Sequence, residues 1–171
     1  LDEQGVTGLC GVDTRALTKH VRVYGTLRGR IVEGEATEAD LELAKSFEMH
    51  DQVAQCTCKE AYKVPGEGKY HIAVMDFGLK RGILRSLHDR GCSLTVFPAD
   101  TPASEILASG CDGVMLTNGP GDPQDNPKAI AAIRELMGKK PVFGICLGHQ
   151  LMALAMGGRT VQMKYGHHGA N

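Results

Sequence analysis

Gly144-Ile145-Cys146-Leu147-Gly148 is a G-x-C-x-G pentapeptide that closes a short apolar run, Pro141 to Ile145. Glycines two positions either side of a nucleophile-type residue are the pattern of an elbow between strand and helix, here with Cys in place of Ser. Such a turn strains its central residue so that the side chain stands clear of the sheet. Side chains at the flanking positions would collide, hence the glycines. Cys146 would then sit at the N-terminus of the following helix. The positive end of that helix and its unpaired N–H groups favour the thiolate, the form that attacks carbonyl carbon. A buried structural cysteine is the other reading of the same five residues.

A second segment, Thr117-Asn118-Gly119-Pro120-Gly121-Asp122-Pro123, follows another apolar run. Two glycines around a proline make a stiff loop whose backbone N–H groups lack side-chain cover. Beside an elbow, the loop could donate a hydrogen bond to an oxyanion, with the Leu147 N–H as the other donor. Each such donor is worth roughly 3 kcal/mol of barrier. Asn-Gly and Pro-Gly are also common turn dipeptides, so in isolation the segment reads as a turn. The remaining cysteines, Cys10, Cys56, Cys58, Cys92 and Cys111, form no C-x-x-C pair and no zinc ladder. No metal site is expected, and this cysteine usage suits a reducing cytosol.

Something must hold the thiol and the loop, and from residue 70 onward the chain supplies a regular rhythm. His71 to Met75, Ser93 to Phe97, Gly113 to Leu116 and Pro141 to Ile145 read as short buried strands. Between them Leu79 to Arg90, Thr101 to Leu107 and Asn126 to Met137 read as helices, and His149 to Met156 as a fourth. Alternating strands and helices predict an α/β fold, a doubly wound and mostly parallel sheet. Ligands in such sheets bind beyond the carboxyl ends of the strands. That rule selects Asp76-Phe77-Gly78, the Thr117–Asp122 loop and Cys146 to Gln150.

The first sixty-odd residues differ. A helix capped by Asp13 or Thr14 through Val21, a strand from Thr26 to Val32 and a helix capped by Thr37 through Met49 are read there. From Gln52 to Gly68 the pattern breaks, and Val64-Pro65-Gly66-Glu67-Gly68 has linker chemistry. The expected organisation is therefore a first domain over 1–63, a linker over 64–69 and a second domain over 70–171.

Composition excludes several classes of function. The 171 residues carry 19 Lys+Arg against 20 Asp+Glu, a net charge of −1, so nothing draws the chain to nucleic acid or anionic membrane. No apolar run approaches the ~18 residues of a membrane helix. Four Phe, four Tyr and no Trp argue against stacking platforms for bases. Leu1 opens the sequence without an initiator Met or a basic leader, so the natural start is expected upstream.

Pro141 to Gln150 closely resembles the nucleophile segment of the class I glutamine amidotransferases, and Asn118 to Pro123 resembles their oxyanion loop. Gly11 to Thr18, Asp76 to Arg85 and Lys164 to Asn171 are similar, within that group, to the small chains of carbamoyl-phosphate synthetases. The resemblance implies the flavodoxin-like amidotransferase fold, preceded over residues 1–63 by the end of a smaller α/β N-terminal domain, and a cytoplasmic enzyme. Cys146 would attack the side-chain amide of L-glutamine, pass through a glutamyl thioester and release ammonia. Gly119 and Leu147 would supply oxyanion N–H groups, and Gly121 and Gln150 would contact the bound glutamine. A large-chain partner would use the ammonia, with ATP and bicarbonate, to make carbamoyl phosphate for arginine and pyrimidine synthesis. ATP and Mg are expected on that large chain, and no cofactor on this one.

One feature departs from the pattern. The family's base is a His followed two residues later by a Glu, and no His-x-Glu occurs here. His149 follows Cys146 by three residues along a helix, and His167 and His168 are neighbours that a strand would point apart. All three are read as loop or helix residues, not bases. The chain is thus expected to be a piece of a longer protein and, alone, a poor catalyst. The alternatives are a Cys-elbow hydrolase of a related doubly wound fold and a non-catalytic interaction module.

Overall fold

The computed structural model describes residues 1–163 and Gly166. The chain divides into two compact units, residues 1–48 with 162–171 and residues 49–161.

The second unit is built on five strands: β1 (Tyr62–Val64), β2 (His71–Asp76), β3 (Ser93–Pro98), β4 (Gly113–Leu116) and β5 (Val142–Gly144). They lie in the order β1-β3-β2-β4-β5. The four expected strands are parallel, and β1 runs antiparallel on the edge with Val64 opposite Leu94. Strand β2 has β3 on one side and β4 on the other, so the chain reverses its winding at the carboxyl end of β2. Crevices open at such a reversal.

Period-two alternation assigns the side chains to faces. Val74, Leu94, Val96 and Met115 are buried on one face, and the half-buried Ile83, Leu84 and Leu87 of the helix Arg81–His88 pack against them. Ala73, Met75, Phe97, Val114 and Leu116 pack on the other, against the helices Ala103–Ala108, Pro127–Leu136 and Leu147–Ala155. Numbered in chain order, these four helices are α4 to α7, and a short α3 spans Gln52–Cys56. With helices on both faces of a mostly parallel sheet, the unit has the doubly wound fold expected from its rhythm.

Two boundaries move. Residues 49–64 belong with the sheet: Val53 of α3 is buried in the larger core, and the Thr57 hydroxyl accepts the Ala99 N–H at 2.9 Å. The division therefore falls at 48/49, whereas the sequence placed it at 63, and Val64 of the expected linker is in a strand. Strand β1 escapes a reading by periodicity because it has three residues, two of them exposed, and only one neighbour. Helix α7 starts at Leu147 rather than His149, which leaves Cys146 as its N-cap.

The first unit contains α1 (Thr14–Tyr24) and α2 (Glu38–Ser46). Asp13 caps α1 by accepting the Ala16 N–H, and Thr37 and Asp40 form a reciprocal capping box at the head of α2. The strand expected from Thr26 to Val32 is absent. Its arginines turn instead to α2: the Arg28 guanidinium donates to the Lys45 carbonyl, and Arg30 lies 3.3 Å from Asp40.

Candidate active site

The turn from β5 into α7 carries the thiol. Cys146 is exposed, with φ 52° and ψ −111°, and no other non-glycine described residue except Asp51 has positive φ. The flanking glycines make this geometry possible by close approach. A Cβ on Gly144 would lie 2.6 Å from the Gly148 carbonyl carbon, and one on Gly148 would lie 2.5 Å from the Leu116 carbonyl oxygen. Backbone meets backbone at both points, so neither can yield. The elbow is then tied to the end of β4: the Gly148 N–H donates to the Thr117 carbonyl at 3.1 Å, and the Ile145 N–H to the Leu116 carbonyl at 3.0 Å.

The glycine-proline loop leaves the carboxyl end of β4 and lies against this elbow. A Cβ on Gly119 would sit 2.6 Å from Cδ2 of Leu147 and 2.3 Å from the Phe77 carbonyl oxygen. Leu147 is buried beneath the loop, immediately after the thiol-bearing residue. The N–H groups of Gly119 and Leu147 have no hydrogen-bond partner among the described residues. Structure thus brings Cys146, Leu147 and Gly119 together at the end of β4 and β5.

Gln150 is exposed on the first turn of α7, its N–H bonded to the Cys146 carbonyl at 3.1 Å. Gly121 is exposed, at φ 87°. The space where its Cβ would be is taken by the Gln52 side chain, with Oε1 at 2.4 Å from that point. It borders a cavity of about 560 Å³ between α3, the end of β3 and the head of α6, which Gln52, Lys59, Asp100, Asn126 and Lys128 also line. Cys146 is not among the residues of that cavity. His149 is exposed on α7, while His167 and His168 lie outside the described residues. No hydrogen bond joins a histidine or carboxylate to the Cys146 thiol among the described residues, and none of their side chains cluster as metal ligands.

Behind the loop lies a set of polar groups that the sequence reading located at the strand ends without showing how they join. Asp76 is buried, and its carboxylate accepts the N–H groups of Gly78 (2.8 Å), Leu79 (2.9 Å) and Cys58 (2.9 Å). The fully buried Thr117 hydroxyl accepts the Phe77 N–H at 2.9 Å and donates to the Asn118 carbonyl at 3.0 Å. The Asn118 side chain donates to the Gly78 carbonyl and accepts the Lys80 N–H. A signal existed: Asp76 and Thr117 are polar residues at the ends of otherwise apolar strands, and burial of such groups demands partners. Burial, and after it the Asp76 carboxylate, push the Cys58 thiol above its ordinary 9.0. Cys58 is therefore a neutral thiol at pH 7, unlike a nucleophile.

Residues 73–171 match the family model for class I glutamine amidotransferase domains. The chain belongs to that family. Relatives of this chain include carbamoyl phosphate synthase small chains from Bacillus caldolyticus, Listeria monocytogenes and Clostridium acetobutylicum. They are 50%, 49% and 47% identical to it over its whole length, which covers 47%, 47% and 49% of theirs. The chain thus spans about half the length of these relatives.

Proposed function

We propose that this chain is the nucleophile-bearing part of a glutamine-hydrolysing subunit that feeds ammonia to carbamoyl phosphate synthesis. The observation that carries the reading is the strained, exposed Cys146 at the head of α7 with the Gly119 loop packed against the next residue. The thiolate adds to the side-chain amide carbon of glutamine, and the C=O π electrons move onto oxygen. That oxyanion is held between the Gly119 and Leu147 N–H groups. Collapse expels the nitrogen as ammonia, which needs a proton from a general acid, and leaves a glutamyl thioester. Water then adds to the thioester, releasing glutamate and restoring the thiol.

Gly121 and Gln150 are the proposed contacts to the glutamine. We place the acid–base group outside the described residues, since none of them is bonded to the thiol. The ammonia passes to a large chain that uses ATP and bicarbonate in the cytoplasm. The similarity to three carbamoyl phosphate synthase small chains over the full length of this one supports that partner.

The test uses the intact polypeptide with its large chain and measures carbamoyl phosphate formed from glutamine and from free ammonia. Cys146→Ser is expected to abolish the glutamine-dependent rate and spare the ammonia-dependent one. Glutamine-dependent synthesis undiminished in Cys146→Ser would refute the reading.

A further inference from the structure

We infer that Thr117 is a positioning residue for this reaction, its buried hydroxyl setting the aim of the Gly119 N–H. The inference rests on the function proposed above and adds to it the device that orients one donor.

The Asn118 carbonyl and the Gly119 N–H belong to one peptide unit, which is planar and trans, so the two groups point in opposite directions. Whatever holds the carbonyl therefore aims the N–H. The Thr117 hydroxyl holds it, at 3.0 Å. Rotation of that hydroxyl is not free, because its oxygen already accepts the Phe77 N–H at 2.9 Å, which directs its single proton onward to Asn118. Thr117 is fully buried, which keeps water from replacing the Phe77 bond, while the bond to Asn118 is part-buried. The main chain of Thr117 is fixed as well: its N–H donates to the Met75 carbonyl, and its carbonyl accepts the Gly148 N–H of the elbow. One residue thus references the peptide plane to β2, to the turn after β2 and to the thiol's helix.

The Asn118 side chain completes the hold on the far side of the Cα, bonded at 2.9 Å to the Gly78 carbonyl and at 3.1 Å to the Lys80 N–H. With the carbonyl drawn inward to Thr117, the N–H faces away from it and finds no protein acceptor among the described residues. Threonine's methyl could be replaced at little cost to this arrangement; its hydroxyl could not.

Thr117→Val in the intact polypeptide keeps the shape and removes the hydroxyl, and Thr117→Ser keeps the hydroxyl. The valine variant is expected to lose roughly 10- to 100-fold in kcat for glutamine hydrolysis, with KM unchanged within about twofold. Its affinity for glutamate γ-semialdehyde, whose adduct with the thiol places an oxyanion in the same spot, should fall in parallel. Thr117→Ser should restore most of both. Thr117→Ala serves the same purpose should the valine variant fail to fold. Thr95→Val, which removes the partner of His71 elsewhere in the sheet, controls for stability lost without a change in kcat. Wild-type kcat in the valine and alanine variants, or a serine variant as impaired as they are, would overturn the positioning role. An intact wild type that neither hydrolyses glutamine nor binds the semialdehyde would instead refute the functional reading itself, and this inference with it.

Discussion

Residues 1–48 and residues 49–161 make ordered structure by different physical routes. In the first unit a single residue before Met49, Gly25, is buried, and Leu17, Val21, Leu41, Leu43 and Phe47 are all exposed. Helices α1 and α2 stand there because each satisfies its own backbone hydrogen bonds and each begins on a side-chain cap. In the second unit Ala73, Val74, Met75, Leu116 and Ile133 are wholly removed from water, and the strands exist because their neighbours complete the ladder. The absent strand at Thr26 to Val32 is the informative case. Its alternation resembles that of β3, but no strand among the described residues lies beside it, and an unpaired strand leaves its backbone groups unmet.

The sharpest way to break this contrast is to add one methyl group to a glycine in each unit. Gly148→Ala drives a Cβ to within 2.5 Å of the Leu116 carbonyl, where two rigid backbone segments meet. We expect a loss of about 3 kcal/mol or more, and glutamine hydrolysis by the intact polypeptide reduced over about a hundredfold, as the elbow is forced off its geometry. Gly29→Ala meets no atom within 4 Å and needs no left-handed backbone, so its effect should stay within about 0.5 kcal/mol. Urea unfolding and steady-state kinetics on both variants decide the matter. A Gly148→Ala protein with native stability and rate would show that the close approach does not shape the site.

Core truncation should separate the units next. Ile133 is fully buried between α6 and the sheet, so Ile133→Ala is expected to cost roughly 2–5 kcal/mol in urea unfolding. Leu17 on α1 is 56% exposed, and Leu17→Ala should cost under about 1 kcal/mol. Comparable losses would mean that burial does not distinguish the two halves.

The same contrast governs what could be read from residues alone. The Gly144-Cys146-Gly148 elbow was legible because its constraint is local: five residues carry the strain and the space it requires. The four parallel strands and their helices were legible because each repeats a period set by burial. The stitches behind the loop were not, for they join Phe77 to Thr117 and Gly78 to Asn118, partners 40 positions apart that only the fold brings together. Likewise the 49–64 segment offered one buried apolar side chain, Val53, and three strand residues, too little for periodicity to register. The cap of α2 was read at Thr37 and that of α1 narrowed to Asp13 or Thr14, of which Asp13 is the cap, since a cap and its target lie within one turn.

A stabilising change offers a smaller effect of opposite sign. Gly82 lies on exposed α4 in ordinary helical backbone, with open space where its Cβ would be. Gly82→Ala should stabilise the second unit by about 0.5–1 kcal/mol by narrowing the unfolded ensemble and favouring helix. A lower urea midpoint would imply an obstruction that the packing does not contain.

The smallest predicted effect is a titration confined to the first unit. The Thr37 hydroxyl, then the Thr37 N–H, and after them Arg30 hold the Asp40 carboxyl below its ordinary value of 3.8, against a modest opposing desolvation. Because the folded value is the lower one, the unfolded chain binds the proton more readily, and acid favours unfolding of this cap. Its contribution is fully present above the unfolded value, near about pH 4, and is lost as pH falls through the folded one. Observed by NMR, the Thr37 amide and the Asp40 carboxyl should therefore shift together at a pH below 3.8. Asp40→Asn, which cannot titrate, should remove the Thr37 transition. An Asp40 midpoint at or above 3.8 would mean that the capping box does not hold in solution, and that α2 owes its start to something other than its first turn.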